Sequence, residues 1–304
     1  MANPKSTFVC TECGWSTPKW VGRCGECQAW DSMQEGAAGG GRGLGTVRNV
    51  RAVAIVGSSA AKPITDVSTV PVTAWSTKVG EFDRVLGGGL VPGAVVLLSG
   101  EPGVGKSTLL LEVAANTAKS GKKVLYVSGE ESVGQIRLRA ERTGAMSDNL
   151  FIASETDLST VLGQIDAIAP ELLVVDSVQT IAAAEIDGAA GMPSQIREVA
   201  ANLIRVAKER ALPVILVGHV TKDGNIAGPR ALEHLVDVVC HFEGDRQTSL
   251  RFVRSMKNRF GPTDEVGCFE MTGEGINEVP DPSGMFLSRG DAPVSGTCVT
   301  VTVE

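Results

Sequence analysis

Aromatic side chains are scarce in this 304-residue sequence, at only 4% of the total. A core without them must be assembled from Val, Leu, Ile and Ala, which suits a parallel sheet covered by helices on both faces. Long apolar runs are also missing. Nothing approaches the ~18 apolar residues that span a bilayer, and the amino terminus carries no apolar signal region. The sequence is therefore read as cytoplasmic, with no membrane partner. Positive charge is not in excess either: the net charge is −7. Nucleic-acid binding, if present, must come from local patches or from assembly into an oligomer. An evenly spaced cysteine framework is absent. Four of the seven cysteines crowd the amino terminus, and Cys240, Cys268 and Cys298 are scattered. In a cytoplasmic chain that division points to a metal site plus unpaired thiols, not to disulfides.

What is present falls into zones. Residues 1–34 hold the clustered cysteines with Trp15, Trp20 and Trp30. Residues 35–68 are rich in Gly, Ala and Ser and read as a flexible linker, with one short strand expected over Val47 to Val56. From 69 to 285 short apolar runs alternate with amphipathic stretches. Ala94 to Ser99, Val124 to Ser128, Leu172 to Asp176 and Val214 to Gly218 read as buried parallel strands. Helices are expected over Ser107 to Lys119, over Asp157 to Ala169, and after a cap at Ser194. Strand and helix in alternation predict an α/β doubly wound sheet with ligands at the carboxyl ends of the strands. Strands then dominate, at Val236 to Glu243, Thr248 to Met256 and Glu265 to Met271, which suggests an antiparallel extension.

The stretch Gly100-Glu101-Pro102-Gly103-Val104-Gly105-Lys106-Ser107, followed by Thr108, has the spacing G-x4-G-K-[ST] between an apolar strand and a helix. The glycines let backbone N–H groups turn inward on phosphates, and the helix start adds its positive end. Lys106 then reaches the β- and γ-phosphates of ATP, and the Ser107 hydroxyl ligates Mg²⁺. Asp176 ends a buried strand, where a carboxylate holds the same Mg²⁺ through water. In Ser128-Gly129-Glu130-Glu131, one acidic residue can polarise an attacking water while the other caps the next helix. Glu130 is the preferred base and Glu131 the alternative.

Cys10-x2-Cys13 and Cys24-x2-Cys27 are two C-x-x-C turns ten residues apart. Four thiolates fill a tetrahedral Zn²⁺ shell and leave no open position, so the site reads as structural. So short a module cannot build its own core, and metal must supply most of its folding free energy. The three tryptophans are expected to pack around the metal, with exposed stacking on nucleic-acid bases as the alternative.

Between 246 and 259 lie Arg246, Arg251, Arg254, Lys257 and Arg259 with no acidic residue, ending in K-N-R-F-G at 257–261. With C-G-W, W-x-G-R-C-x-E-C, G-E-P-G-V-G-K-S-T, Y-V-S-G-E-E-S, L-L-V-V-D-S-V-Q-T and V-G-H-V-T-K-D-G-x-I-A-G-P, this order of motifs closely resembles the RadA/Sms family of bacterial DNA repair ATPases. The resemblance covers essentially the whole chain. It implies a RecA-like core, a hexameric ring, binding of single-stranded and branched DNA, and ATP-driven branch migration beside the RecA recombinase. It also implies Glu130 as water activator, His219 at the position of a γ-phosphate sensor, and Lys257 and Arg259 reaching a neighbouring subunit's nucleotide. Loops over Ile181–Pro193 and Lys222–Arg230 are expected to face a central channel, with Lys222 and Arg230 on DNA phosphates. Family members continue into a Lon-protease-like domain, and residues 286–304 read as its beginning. Two other classes fit parts of the sequence: a clock-protein-type RecA-fold ATPase, which lacks the knuckle and K-N-R-F-G, and a nucleotide-switched scaffold without fast turnover.

Overall fold

The computed structural model describes residues 7–10, 16–17, 19–25, 29–30, 32–36, 63–66, 73–219, 232–244 and 248–280. Cys13, Cys27, Lys222, Arg230, the strand expected at 47–56 and the segment 286–304 lie outside them. The chain divides into two compact units, Met1–Ser68 and Thr69–Glu304.

In the first unit, β1 (Thr7–Cys10) pairs antiparallel with β2 (Ser16–Thr17) on one side and β3 (Met33–Gly36) on the other. Cys10 and Cys24 are buried together, with Phe8 and Val21 packed against them. Trp20 and Trp30 do not pack into this cluster: they are 61% and 73% exposed, and the Arg23 guanidinium lies over the Trp30 ring at 5.5 Å. The expectation that tryptophans surround the metal is thus corrected for these two. Among the described residues, Phe8 and Val21 are the side chains packed on the two cysteines.

The second unit is built on a nine-stranded sheet. Its parallel part consists of β4 (Val95–Gly100), β5 (Val124–Ser128), β6 (Leu150–Ser154), β7 (Leu172–Asp176), β8 (Val214–His219) and β9 (Val238–Gly244). Three antiparallel strands extend it: β10 (Leu250–Asn258), β11 (Val266–Thr272) and β12 (Gly275–Glu278). Across the sheet the order is β12-β11-β10-β9-β4-β8-β7-β5-β6. The strands β4, β5 and β7 are buried at every residue, which explains their unbroken Val and Leu runs. Helices α1 (Gly80–Leu86), α2 (Lys106–Lys119), α3 (Val133–Arg142), α4 (Leu158–Ile168) and α5 (Pro193–Arg210) complete the unit. Apolar residues on either side of the sheet form two core clusters, one including α1, α2 and α3 and the other α4 and α5.

Local chemistry accounts for most boundaries. Asp157 caps α4 by accepting from the Thr160 amide at 2.9 Å. A capping box joins Ser132 and Gln135 at the start of α3, so neither Glu130 nor Glu131 is the cap. Ser194 does not cap α5 either: Pro193 occupies the first turn behind Met192, the position where its missing N–H costs nothing. β4 is followed in sequence by β5 but flanked in space by β8 and β9. That break in order opens a crevice at the carboxyl ends of the strands, where a ligand fits.

Candidate active site

The phosphate loop leaves β4 and enters α2 inside this crevice. Gly103 and Gly105 have φ of 78° and 110°, values that an L side chain rarely tolerates. A Cβ on Gly100 would stand 2.2 Å from the Phe242 carbonyl oxygen of β9. No side chain caps the start of α2, so the first-turn N–H groups stay available to an anion. Lys106 is 3% exposed, and its Nζ donates to the carbonyls of Gly100 and Glu101, both at 2.9 Å. Burial pushes its pKa down to about 8, against the opposing pull of Asp176 and Glu130. Arg251 Nε donates to the Val104 carbonyl at 3.0 Å and so braces the loop from β10. Thus Arg251, noticed only as part of a basic stretch, belongs to the loop's support.

Asp176 is 4% exposed. One carboxylate oxygen accepts from the Tyr126 hydroxyl at 2.7 Å, while the other, Oδ1, is buried with no hydrogen-bond partner among the described residues. A buried carboxylate oxygen left unpaired is costly. A divalent cation held between Asp176 and the Ser107 hydroxyl would relieve that cost, so the donor set fits Mg²⁺.

The two acidic candidates separate. Glu131 is committed to Arg139 through two contacts. Glu130 faces the crevice: its Oε1 accepts from the Ser177 hydroxyl at 2.6 Å and lies 2.9 Å from His219 Nε2. Ser177 itself is fully buried. Around the same point, His219 Nδ1 and Gln179 Oε1 are buried without partners among the described residues. Gly129 is required just before the pair, since a Cβ there would lie 2.0 Å from Thr180 Oγ1. Tyr126 and Ser177 were missed as site residues in the sequence. The available signal was a lone Tyr inside a buried strand and a hydroxyl directly after Asp176.

The K-N-R-F-G turn lies at the other end of the sheet. Lys257 pairs with Val239 and Asn258 with Val238, at the start of β9, whereas the phosphate loop flanks its end. Along β4 the level of Asn258, at Val96, lies four residues from Gly100, or ~13 Å. Each motif residue but Phe260 has a visible local task. Lys257 Nζ donates to the carbonyls of Glu233 and Val236, both at 2.8 Å. Asn258 donates to the Leu86 carbonyl and accepts from the Phe260 amide. Arg259 donates to Asp237 Oδ1 at 3.1 Å. Gly261 packs on Gly87, where a Cβ would come within 3.1 Å of backbone. Phe260 is 43% exposed.

Of the two expected channel loops, Ile181–Pro193 is held by Gln195, which bonds Ala183 on both sides and the carbonyls of Ile186 and Gly188. In the first unit, Cys10 and Cys24 are the members of the expected quartet that are described. Both are buried side by side, as two ligands of one closed metal site must be.

Residues 67–225 match the family model described as an AAA domain, and residues 8–35 match one described as a rubredoxin metal binding domain. Curated relatives align along nearly the whole chain. The DNA repair protein RadA of Mycolicibacterium smegmatis is 54% identical over 99% of this chain, and that of Bacillus subtilis 46% identical over all of it. The chain belongs to the RadA family. It spans 65% and 66% of the length of these two RadA proteins. Among solved structures, the ATPase domain of G40P superposes with a TM-score of 0.61 at 15% identity, over 68% of this chain and 92% of that one. A KaiC-like protein from Pyrococcus horikoshii gives 0.57 at 23% identity, over 69% and 100%. The second unit therefore has the RecA-like P-loop ATPase fold that RadA sequences led us to expect. Among the described residues, no helix is long and apolar enough to cross a membrane.

Proposed function

We propose that this chain is an ATP-hydrolysing motor of DNA repair. The observation that carries the reading is the meeting of Lys106, Asp176 and Glu130 at the carboxyl ends of β4, β7 and β5. In this reading the loop amides and Lys106 hold the triphosphate, and Ser107 and Asp176 hold Mg²⁺. The bound Mg²⁺ would neutralise charge developing on the β- and γ-oxygens. Glu130 orients and deprotonates the attacking water. The proposed role of His219, against Glu130, is to sense the γ-phosphate.

Arg259 lies at the other end of the strands from its own loop, which supports its acting on a neighbouring copy in a ring, with hexamer the expected size; Lys257, bonded to the Glu233 and Val236 carbonyls, supports the same turn. Single-stranded and branched DNA, contacted in part through Lys222 and Arg230, and the RecA recombinase are the proposed partners, and branch migration the proposed work. The RadA name carried by the relatives supports the repair role. The first unit is proposed to bind one Zn²⁺ through Cys10, Cys13, Cys24 and Cys27, with a purely structural task.

ATPase rate with and without single-stranded DNA, combined with a branch-migration assay, tests the reading. DNA-stimulated turnover that Lys106→Ala abolishes is expected. Tight ATP binding without turnover would instead identify a nucleotide-switched scaffold.

A further inference from the structure

Asp237 is a buried carboxylate with three side-chain hydrogen bonds, and nothing in the nucleotide site uses it. Its side chain is 4% exposed. Oδ2 accepts from the Val95 amide at 3.0 Å and from Lys208 Nζ at 2.5 Å. Oδ1 accepts from Arg259, whose own amide donates to the Asp237 carbonyl at 3.2 Å. Burial alone would push the carboxyl pKa up. The Lys208 hydrogen bond, the Val95 amide and the two positive charges outweigh it and hold the group below its ordinary value. The carboxylate is therefore ionised and fixed to the first residue of β4, a strand buried at every residue.

Arg259 is attached to this anchor by a single amino nitrogen. Its side chain is 56% exposed, and it makes no other side-chain hydrogen bond among the described residues. Lys257 differs, because its ammonium is spent on two backbone carbonyls of its own chain. Asn258 and Gly261 fix the turn from either side. The result is a guanidinium steadied through one terminal amino group, Nη1, with Nη2 and Nε making no side-chain hydrogen bond among the described residues, a donor set that a finger supplied to another copy can present.

We propose that Asp237, clamped by Lys208, is a positioning residue that aims Arg259 at the nucleotide of the neighbouring copy, with Lys257 serving as the buttress of the same turn. The inference rests on the shared-site reading given above. An isolated structural role would predict only lost stability on removing the carboxylate. A positioning role predicts a defect located in the neighbour.

Mixing variants separates the two. Asp237→Asn keeps the shape and removes the charge. Its ATPase should fall about 10- to 100-fold, the cost of a misplaced catalytic group, with nucleotide binding unchanged. Mixed in equal amounts with Lys106→Ala chains, which have a dead loop but an intact finger, it should recover roughly a quarter of parental turnover, the share of head-to-tail interfaces that pair an intact loop with an intact finger. Arg259→Ala mixed with Lys106→Ala is the control and should recover equally. Recovery in the control but not with Asp237→Asn, or parental turnover by Asp237→Asn alone, overturns the inference and spares the shared site. No recovery in either mixture overturns the shared site and the inference with it. Should Asp237→Asn fail to fold, Lys208→Met, on a half-exposed side chain, should give a smaller loss that mixing again repairs. Unchanged turnover in that variant overturns the proposal.

Discussion

Binding of ATP should draw a proton onto Lys106. This lysine is buried and, among the described residues, bonded to two carbonyls of its own loop, and its pKa is pushed down to about 8. Burial is the main cause, since it disfavours the charged form. A triphosphate seated in the loop reverses that balance. One negative charge about 4 Å away contributes about 4 kcal/mol at the effective dielectric of a protein surface, equal to about three pKa units. The bound-state value therefore returns above 10. From these two values, uptake should be about 0.1 proton per nucleotide at pH 7, about 0.5 at pH 8 and about 0.9 at pH 9.

Calorimetric titration in buffers of different ionisation enthalpy measures this number directly, and ADP serves as well as ATP. Affinity should weaken about tenfold per pH unit above 8. Lys106→Arg supplies the control, because a guanidinium keeps its charge throughout. Uptake that persists in Lys106→Arg, or that is flat and near zero from pH 7.5 to 9, refutes the reasoning. The same shift has a sign for stability. The folded value lies below the unfolded value of 10.5, so the folded chain binds fewer protons between the two. The empty protein should therefore gain stability as pH rises from 8 to 10.5, by at most about 3 kcal/mol.

Three further outcomes are expected. Glu130→Gln should lower hydrolysis about 10²- to 10⁴-fold while leaving Mg²⁺–ATP binding intact; Glu131→Gln should keep turnover and cost about 1 kcal/mol in a denaturant titration. A reversal of the two would exchange their roles. Tyr126→Phe removes the hydroxyl that Asp176 accepts from and should destabilise the chain by about 1–3 kcal/mol, with a higher Mg²⁺ requirement for ATPase activity. Metal analysis should return one zinc per chain, and chelation or Cys10→Ser should unfold the first unit, followed by tryptophan emission, without moving the melting transition of the ATPase unit. A zinc-free first unit that stays folded would sink the metal assignment.

The phosphate loop and the strand ending at Asp176 were legible because each is a local pattern, an apolar run followed by residues of fixed spacing. Elements that depend on their surroundings were not. β6 is only half-buried and lies at the sheet edge, and a four-residue apolar run such as Leu150–Ala153 does not by itself tell a strand from a buried helical turn. α1 has seven residues, begins at Gly80 and has no side-chain cap, so no start signal marks it. The choice between Glu130 and Glu131 was open in the sequence because both follow the same strand. In the fold the two are held apart, Glu131 by Arg139 and Glu130 by Ser177, distant partners that no spacing rule links to them. Asp237 left a readable trace, a carboxylate inside the apolar run Leu235 to Phe242. Such a charge must find a partner when buried. Which partner it finds, Lys208 on α5 and Arg259 after β10, only the fold reveals.

That partnership also constrains assembly. In the proposed shared site, each copy offers its loop to one neighbour and its Arg259 turn, at the other end of the strands, to another. In the proposed ring the contact runs head to tail, and such a contact closes into a ring or continues as a filament according to the rotation between copies. In a closed ring every loop is paired, whereas an open chain of copies leaves one loop unpaired at its end. Turnover per chain should therefore rise with protein concentration and level off once rings close. A rate per chain independent of concentration down to demonstrated monomer would mean that the loop works alone, and Arg259 would then lose its assigned task.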